Sequence, residues 1–295
     1  MKRNLPKGSL ILLIAISCTV ACKKSVDQSS PIIITGGNVQ HDTTSAAPLI
    51  PYPEVPALEC STAPFYGDSI VYPQPATTGD FYVYAQNNQG IDGTYLSWPV
   101  GLNLNSKTGA IDLTQSETGQ RYSVAFVKTG TTDTCMSSLI VAGAAYMDSV
   151  YVMSQNQTTA EPYFNANPLA PSPCQTNNGQ GCQFDYNNAA KNQGIVIDQH
   201  TGFIDLQQTM KKSLFGLLPI NGTTVYTTIY YKLSDNSNNA AQKIQLQMVY
   251  YNHKSDIPPG LLANITNSLI NTLEGLLISK SASPRPPIII IVRAN

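Results

Sequence analysis

Residues 101–113 read GLNLNSKTGAIDL, and residues 194–206 read GIVIDQHTGFIDL. The two align without a gap at an offset of 93 residues, so that Gly101, Leu104, Thr108, Gly109, Ile111, Asp112 and Leu113 fall on Gly194, Ile197, Thr201, Gly202, Ile204, Asp205 and Leu206. Each copy is an alternating apolar strand, a polar turn ending in Thr-Gly, and a second short strand. That is the pattern of a β-hairpin whose glycine takes the left-handed backbone conformation. An internal repeat decides the fold before any other feature does. Thr108, Gly109, Thr201 and Gly202 are therefore read as structural hairpin residues.

Outward from the first hairpin, residues 58–143 carry short apolar runs at Ser69–Tyr72, Phe81–Tyr84, Leu102–Leu104, Ala110–Leu113, Tyr122–Lys128 and Ser138–Ala142. Clusters of Pro, Gly and Asn separate them, which predicts a β-sandwich. Residues 144–253 replay the plan. Asp148-Ser149-Val150-Tyr151 echoes Asp68-Ser69-Ile70-Val71, Tyr226–Lys232 echoes Tyr122–Lys128, and Ile244–Tyr251 supplies a closing strand. An insertion at 163–193, rich in Asn, Pro and Gly, makes this copy longer. After Pro258 and Pro259 the period changes: Leu261, Leu262, Ile265, Leu269, Leu273 and Leu276 recur at three and four, the spacing of one apolar helix face. The tail Pro286-Pro287-Ile288-Ile289-Ile290-Ile291-Val292 has no polar alternation, so it is expected to pair with another strand and to be covered on both faces. The expected fold is all-β: two tandem sandwiches, then a C-terminal amphipathic helix and terminal strand over 254–295.

The N-terminus has a different chemistry. Residues 1–21 place Lys2, Arg3 and Lys7 before an apolar run from Leu10 to about Val20, too short to span a bilayer comfortably but suited to a secretion signal. Thr19-Val20-Ala21-Cys22 resembles a bacterial lipobox, which implies that Cys22 is lipidated and becomes the mature N-terminus. Residues 22–57, punctuated by Pro31, Pro48, Pro51, Pro53 and Pro56, read as a flexible tether. The β-branched run Pro31–Thr35 is the one stretch there that could join a sheet.

Composition excludes several functions. Charged residues are 12% of the chain and the formal net charge is -1, which removes the basic face a nucleic-acid binder needs. Beyond Cys18 and Cys22, four cysteines remain, and in an exported protein an even remainder is most simply two disulfides. Cys60 with Cys135 would tie the start of the first unit to its end; Cys174 with Cys182 would close the polar loop QTNNGQG. Zinc is disfavoured by the missing C-x-x-C pair and the absence of a nearby histidine. Of the three histidines, His41 lies in the tether, His253 follows a strand, and His200 sits in the hairpin turn where the first copy has Lys107. No nucleophile elbow or phosphate loop occurs, so no catalytic residue, metal or cofactor is expected. Asp112 and Asp205 recur at a strand end, but the clustered acids that calcium needs are missing, and they read as turn acceptors. Tyrosine, 16 in the chain, carries the one hint of a ligand. Tyr82, Tyr84, Tyr226, Tyr230, Tyr231, Tyr250 and Tyr251 fall on expected strands, where they either fill a sandwich or, with Tyr226, Tyr230 and Tyr231 outward, stack sugars.

The stretch 93–135, GTYLSWPVGLNLNSKTGAIDLTQSETGQRYSVAFVKTGTTDTC, resembles the immunoglobulin-like repeats of Bacteroidetes-type cell-surface proteins, of the cadherin-like kind. The matching residues are Pro99, Gly101, Leu102, Leu104, Asn105, Thr108, Gly109, Ile111, Asp112, Leu113, Ser116, Gly119, Tyr122, Val124 and Cys135. The resemblance implies that both sandwiches are immunoglobulin-like. It says little about function, because such repeats serve as spacers, adhesive modules and accessory domains alike. The expectation is a non-catalytic outer-membrane lipoprotein, at the cell surface or on the periplasmic face, anchored to the membrane through its N-terminal lipid. It would act in adhesion, binding or spacing, with a surface protein or a glycan as partner. Two alternatives stand beside it: glycan binding within a polysaccharide-capture system, and a periplasmic assembly partner using the C-terminal tail.

Overall fold

The hairpin that repeats in the sequence repeats in space. The structure, a computed structural model, describes residues 60–132, 134–174, 181–274 and 286–294. Residues 1–59, read above as a signal segment, the lipidation candidate Cys22 and a tether that includes Pro31–Thr35, lie outside the described residues. In the first hairpin Leu104 faces Ile111, and in the second Ile197 faces Ile204, the same positions at the same offset.

The first lobe is built from β1 (Ile70–Val71), β2 (Tyr82–Val83), β3 (Gly93–Trp98), β4 (Asn103–Leu104), β5 (Ile111–Asp112), β6 (Gln120–Lys128) and β7 (Thr134–Val141). They form a four-stranded sheet in the order β1-β7-β6-β3 facing a three-stranded sheet β2-β5-β4. Alternation along β6 sends Tyr122, Val124 and Phe126 into a core shared with Tyr95, Ile111, Leu113 and Leu139. Burying each of these large side chains contributes about 1.5–3 kcal/mol. β3 is an addition to the sequence reading: it pairs with β6 from Gly93↔Lys128 to Trp98↔Ser123.

The second lobe contains β8 (Ala144–Tyr146), β9 (Ser149–Val152), β10 (Thr159–Ala160), β11 (Pro162–Phe164), β12 (Gln183–Phe184), α1 (Ala189–Asn192), β13 (Ile204–Asp205), α2 (Leu206–Lys211), β14 (Thr223–Lys232), β15 (Gln242–His253), α3 (Pro259–Glu274) and β16 (Ile288–Ala294). Its main sheet runs β12-β14-β15-β16-β9, with β10-β13 and β8-β11 as two-stranded pairs. β12 pairs with β14 as β3 pairs with β6, so the Asn-rich stretch read as an insertion holds one of the sandwich's own strands. α2 is a second addition; Asp205 caps it by accepting from the Gln208 N–H at 2.7 Å.

The C-terminus completes this sheet from within. β16 lies between β15 and β9 and is parallel to both. Neighbouring parallel strands need a crossover connection, and α3 lies on it between β15 and β16. Ile289 and Ile291 face the sandwich core, whereas Ile288, Ile290 and Val292 face the layer containing Ile257 and Ile265. Both faces of the strand are thus covered, which is why it lacks polar alternation.

Candidate functional site

The repeated hairpins are held from below by tyrosines. Gly109 and Gly202 sit at φ +70 and +76, and a Cβ at either would come within 2.7 Å of a ring, that of Tyr95 or Phe184. The Tyr66 hydroxyl donates to the Gly109 carbonyl at 2.8 Å, and the Tyr146 hydroxyl donates to the Gly202 carbonyl. Burial pushes both phenols well above their ordinary value, so both remain donors. At the turns, Asn105 Oδ1 accepts from Lys107 and Thr108 N–H groups, and Asp198 Oδ1 accepts from His200 and Thr201. Tyr66 and Tyr146 head a Tyr-x-Asp-Ser motif in each lobe; that spacing is the signal that could have marked them in the sequence.

The residues that could have carried chemistry have structural partners. Asp112 is buried and accepts from the Thr114 and Gln115 N–H groups at 3.0 and 3.1 Å. Cys60 is bonded to Cys135 and Cys174 to Cys182, with Cα separations of 5.6 and 5.4 Å. His253 ends β15 and joins the cap of the turn at Lys254–Asp256, while His200 stays in its hairpin turn. Among the described residues no group of three metal-ligating side chains converges.

Tyr231 corrects the outward-tyrosine reading. It is completely buried, on the same inward row of β14 as Ile229. Its hydroxyl accepts from the Ala144 N–H at 2.9 Å, donates to Gln242 Oε1 at 2.8 Å, and shares a hydrogen bond with Thr118 Oγ1. Burial pushes this phenol up as well. Gly143 lies against the cluster; its Cβ would fall 2.5 Å from the Tyr231 hydroxyl. Around it, Ala166 N–H donates to the Gly119 carbonyl at 3.1 Å and Gln120 Nε2 donates to the Tyr163 hydroxyl at 3.0 Å. Tyr231 is thus the centre of the junction between lobes. Tyr250 and Tyr251 are buried too. Tyr226 is exposed, but Tyr230 meets Tyr186 edge-on, at 67° and 6.3 Å between centroids, with Lys232 Nζ over the Tyr186 ring. Tyr226, Tyr230 and Tyr231 therefore do not form one flat platform.

Among the described residues the most exposed large apolar side chains lie elsewhere. β14 runs from Thr223 to the junction, so the loop before it stands at the opposite end of the second lobe. There Leu217 and Leu218 are 89% and 90% exposed and Ile220 is 72% exposed. Phe215, buried against Tyr250 with ring centroids 5.8 Å apart, fixes the base of this loop. The Gly222 N–H donating to the Tyr250 carbonyl at 2.8 Å fixes its exit. Isolated exposed apolar residues are ordinary, but here three lie together on one anchored loop. Sequence reading passed over this stretch because LFGLLPI has neither helix nor strand period.

No protein-family model matches the chain, and no curated protein does. Among solved structures, the EC1-2 fragment of human protocadherin-24 covers 63% of this chain and 96% of its own at 9% identity, with a TM-score of 0.22. A tri-modular GH5 endo-beta-1,4-glucanase from Bacillus licheniformis covers 61% of this chain and 37% of its own at 11% identity, TM-score 0.18. At such scores neither likeness bears on function. The all-β sandwich assignment stands on the sheets described above. Among the described residues no helix is long and apolar enough to cross a membrane, and the two disulfides suggest an extracellular or periplasmic location.

Proposed function

We propose that this chain is a non-catalytic outer-envelope lipoprotein that works as an adhesion or binding module, with the loop 216–222 as its contact surface. The observation that carries the reading is the near-complete exposure of Leu217 and Leu218 on a loop anchored by Phe215, at the end of the second lobe away from the junction. The lipobox resemblance at Cys22 supports anchoring, and the Bacteroidetes-type repeat pattern at 93–135 supports display on the envelope. The functional groups reviewed above are engaged in caps, bridges and the junction, which suits a module that presents a surface.

The test is adherence. Cells carrying Leu217→Asp with Leu218→Asp are expected to lose attachment while displaying the same amount of protein with an unchanged melting temperature, since both side chains lie in solvent. Full attachment by the double variant would sink this assignment of the contact surface. Glycan capture draws less support, because of its three candidate rings Tyr231 is buried and Tyr230 is engaged edge-on.

A further inference from the structure

The two lobes close the same sheet edge in different ways. In the first lobe β1 pairs directly with β7, in parallel, Ile70↔Ile140 and Val71↔Val141. By the repeated Asp-Ser motif β9 corresponds to β1, and β15 to β7. In the second lobe, however, β16 lies between them, giving the row Val150, Ile290, Val249. β9 and β15 are parallel to each other as β1 and β7 are, so the first lobe displays the closure available to the second when β16 is absent. Departure of β16 need not leave two raw strand edges, because β9 can zip onto β15.

Among the described residues, the Asp148 side chain latches the strand in addition to its ladders. Asp148 Oδ1 accepts the Ile288 N–H at 2.6 Å, and Asp148 Oδ2 accepts from the Ser268 hydroxyl of α3. Its counterpart Asp68 spends its carboxylate on its own strand, accepting from Ser69 and Ile70 N–H groups at 2.6 and 3.4 Å.

We propose that the slot between β9 and β15 is a strand-acceptor site whose ligand in trans is β16 of a second copy of this chain. A second copy carries the identical ligand, so every ladder and every apolar contact made within one chain can be made between two. The competing β9–β15 closure lowers the cost of the vacated state and makes exchange reversible.

The experiment uses full-length protein. Isotopically light and heavy chains are unfolded together, refolded at high concentration and examined by native mass spectrometry. Expected are mixed light–heavy dimers, lost when both chains carry Ile290→Asp and suppressed by excess synthetic peptide spanning Pro286–Asn295 during refolding of the wild-type chains. Monomers alone at every concentration would overturn the proposal. So would mixed dimers that the peptide leaves undiminished, a result that does not depend on whether Ile290→Asp folds.

Discussion

Single residues in this protein can be compared with their own counterparts. Gly109 and Gly202 hold a left-handed turn under an aromatic ring, so alanine at either meets both backbone strain and a ring at 2.7 Å. Gly216, at φ +89 with nothing within 4 Å, meets strain alone. Gly202→Ala is expected to lower stability by about 2–4 kcal/mol and Gly216→Ala by about 1 kcal/mol, read from denaturant midpoints at constant slope. Tyr231→Phe removes a hydroxyl that three groups share; leaving the Ala144 N–H unpaired is expected to cost about 1–3 kcal/mol. Asp198 gives a pH test. Burial pushes its carboxyl up, but N–H bonds from Thr201 and His200 outweigh this and hold it below the ordinary 3.8. A depressed carboxylate stabilises the folded state above its unfolded pKa, and that contribution is lost as pH falls through the folded value. Asn105, its counterpart, does not titrate. Asp198→Asn should therefore flatten the acid limb of the melting curve and leave the melting temperature near pH 7 almost unchanged; an unaltered acid limb would show that the turn carboxylate is not the titrating group.

At the scale of elements, what the sequence disclosed depended on how local each pairing is. The hairpins were legible because turn and both strands lie within thirteen residues. The parity of β14 also held the answer for Tyr231: Ile229 and Tyr231 share a row, and an apolar row with isoleucine faces inward. β3 and α2 went unread because their patterns are short and broken by polar residues. The position of β16 was beyond local reading, since five consecutive apolar residues say that both faces are covered but not which strands flank them. The latch on this strand is open to measurement. Asp148→Ala should speed hydrogen exchange of the Ile288–Val292 amides while leaving β6 and β7 unchanged, and Asp68→Ala should leave β16 unchanged. Equal protection of β16 in both variants would remove Asp148 from that role.

Across the described residues, the chain combines structural repetition with an exposed apolar loop in the second lobe. The buried cluster of Thr118, Ala144, Tyr231 and Gln242 couples the lobes through direct hydrogen bonds, and the disulfides tie Cys60 to β7 and Cys174 to Cys182 in the second core. Sequence reasoning reached the repeat and the cysteine pairs. It missed the exposed loop because nothing in a run such as Leu217-Leu218-Pro219-Ile220 distinguishes a buried loop from an exposed one until Phe215 is seen anchoring it. The central claim is that this loop is presented outside the cell, and the most direct test is chemical labelling. Leu218→Cys in the full-length protein, on intact cells, is treated with a membrane-impermeant thiol reagent, with Ile229→Cys as the buried control. Labelling of position 218 alone, before the outer membrane is opened, is the predicted result; labelling of position 218 only after the membrane is opened would contradict surface presentation.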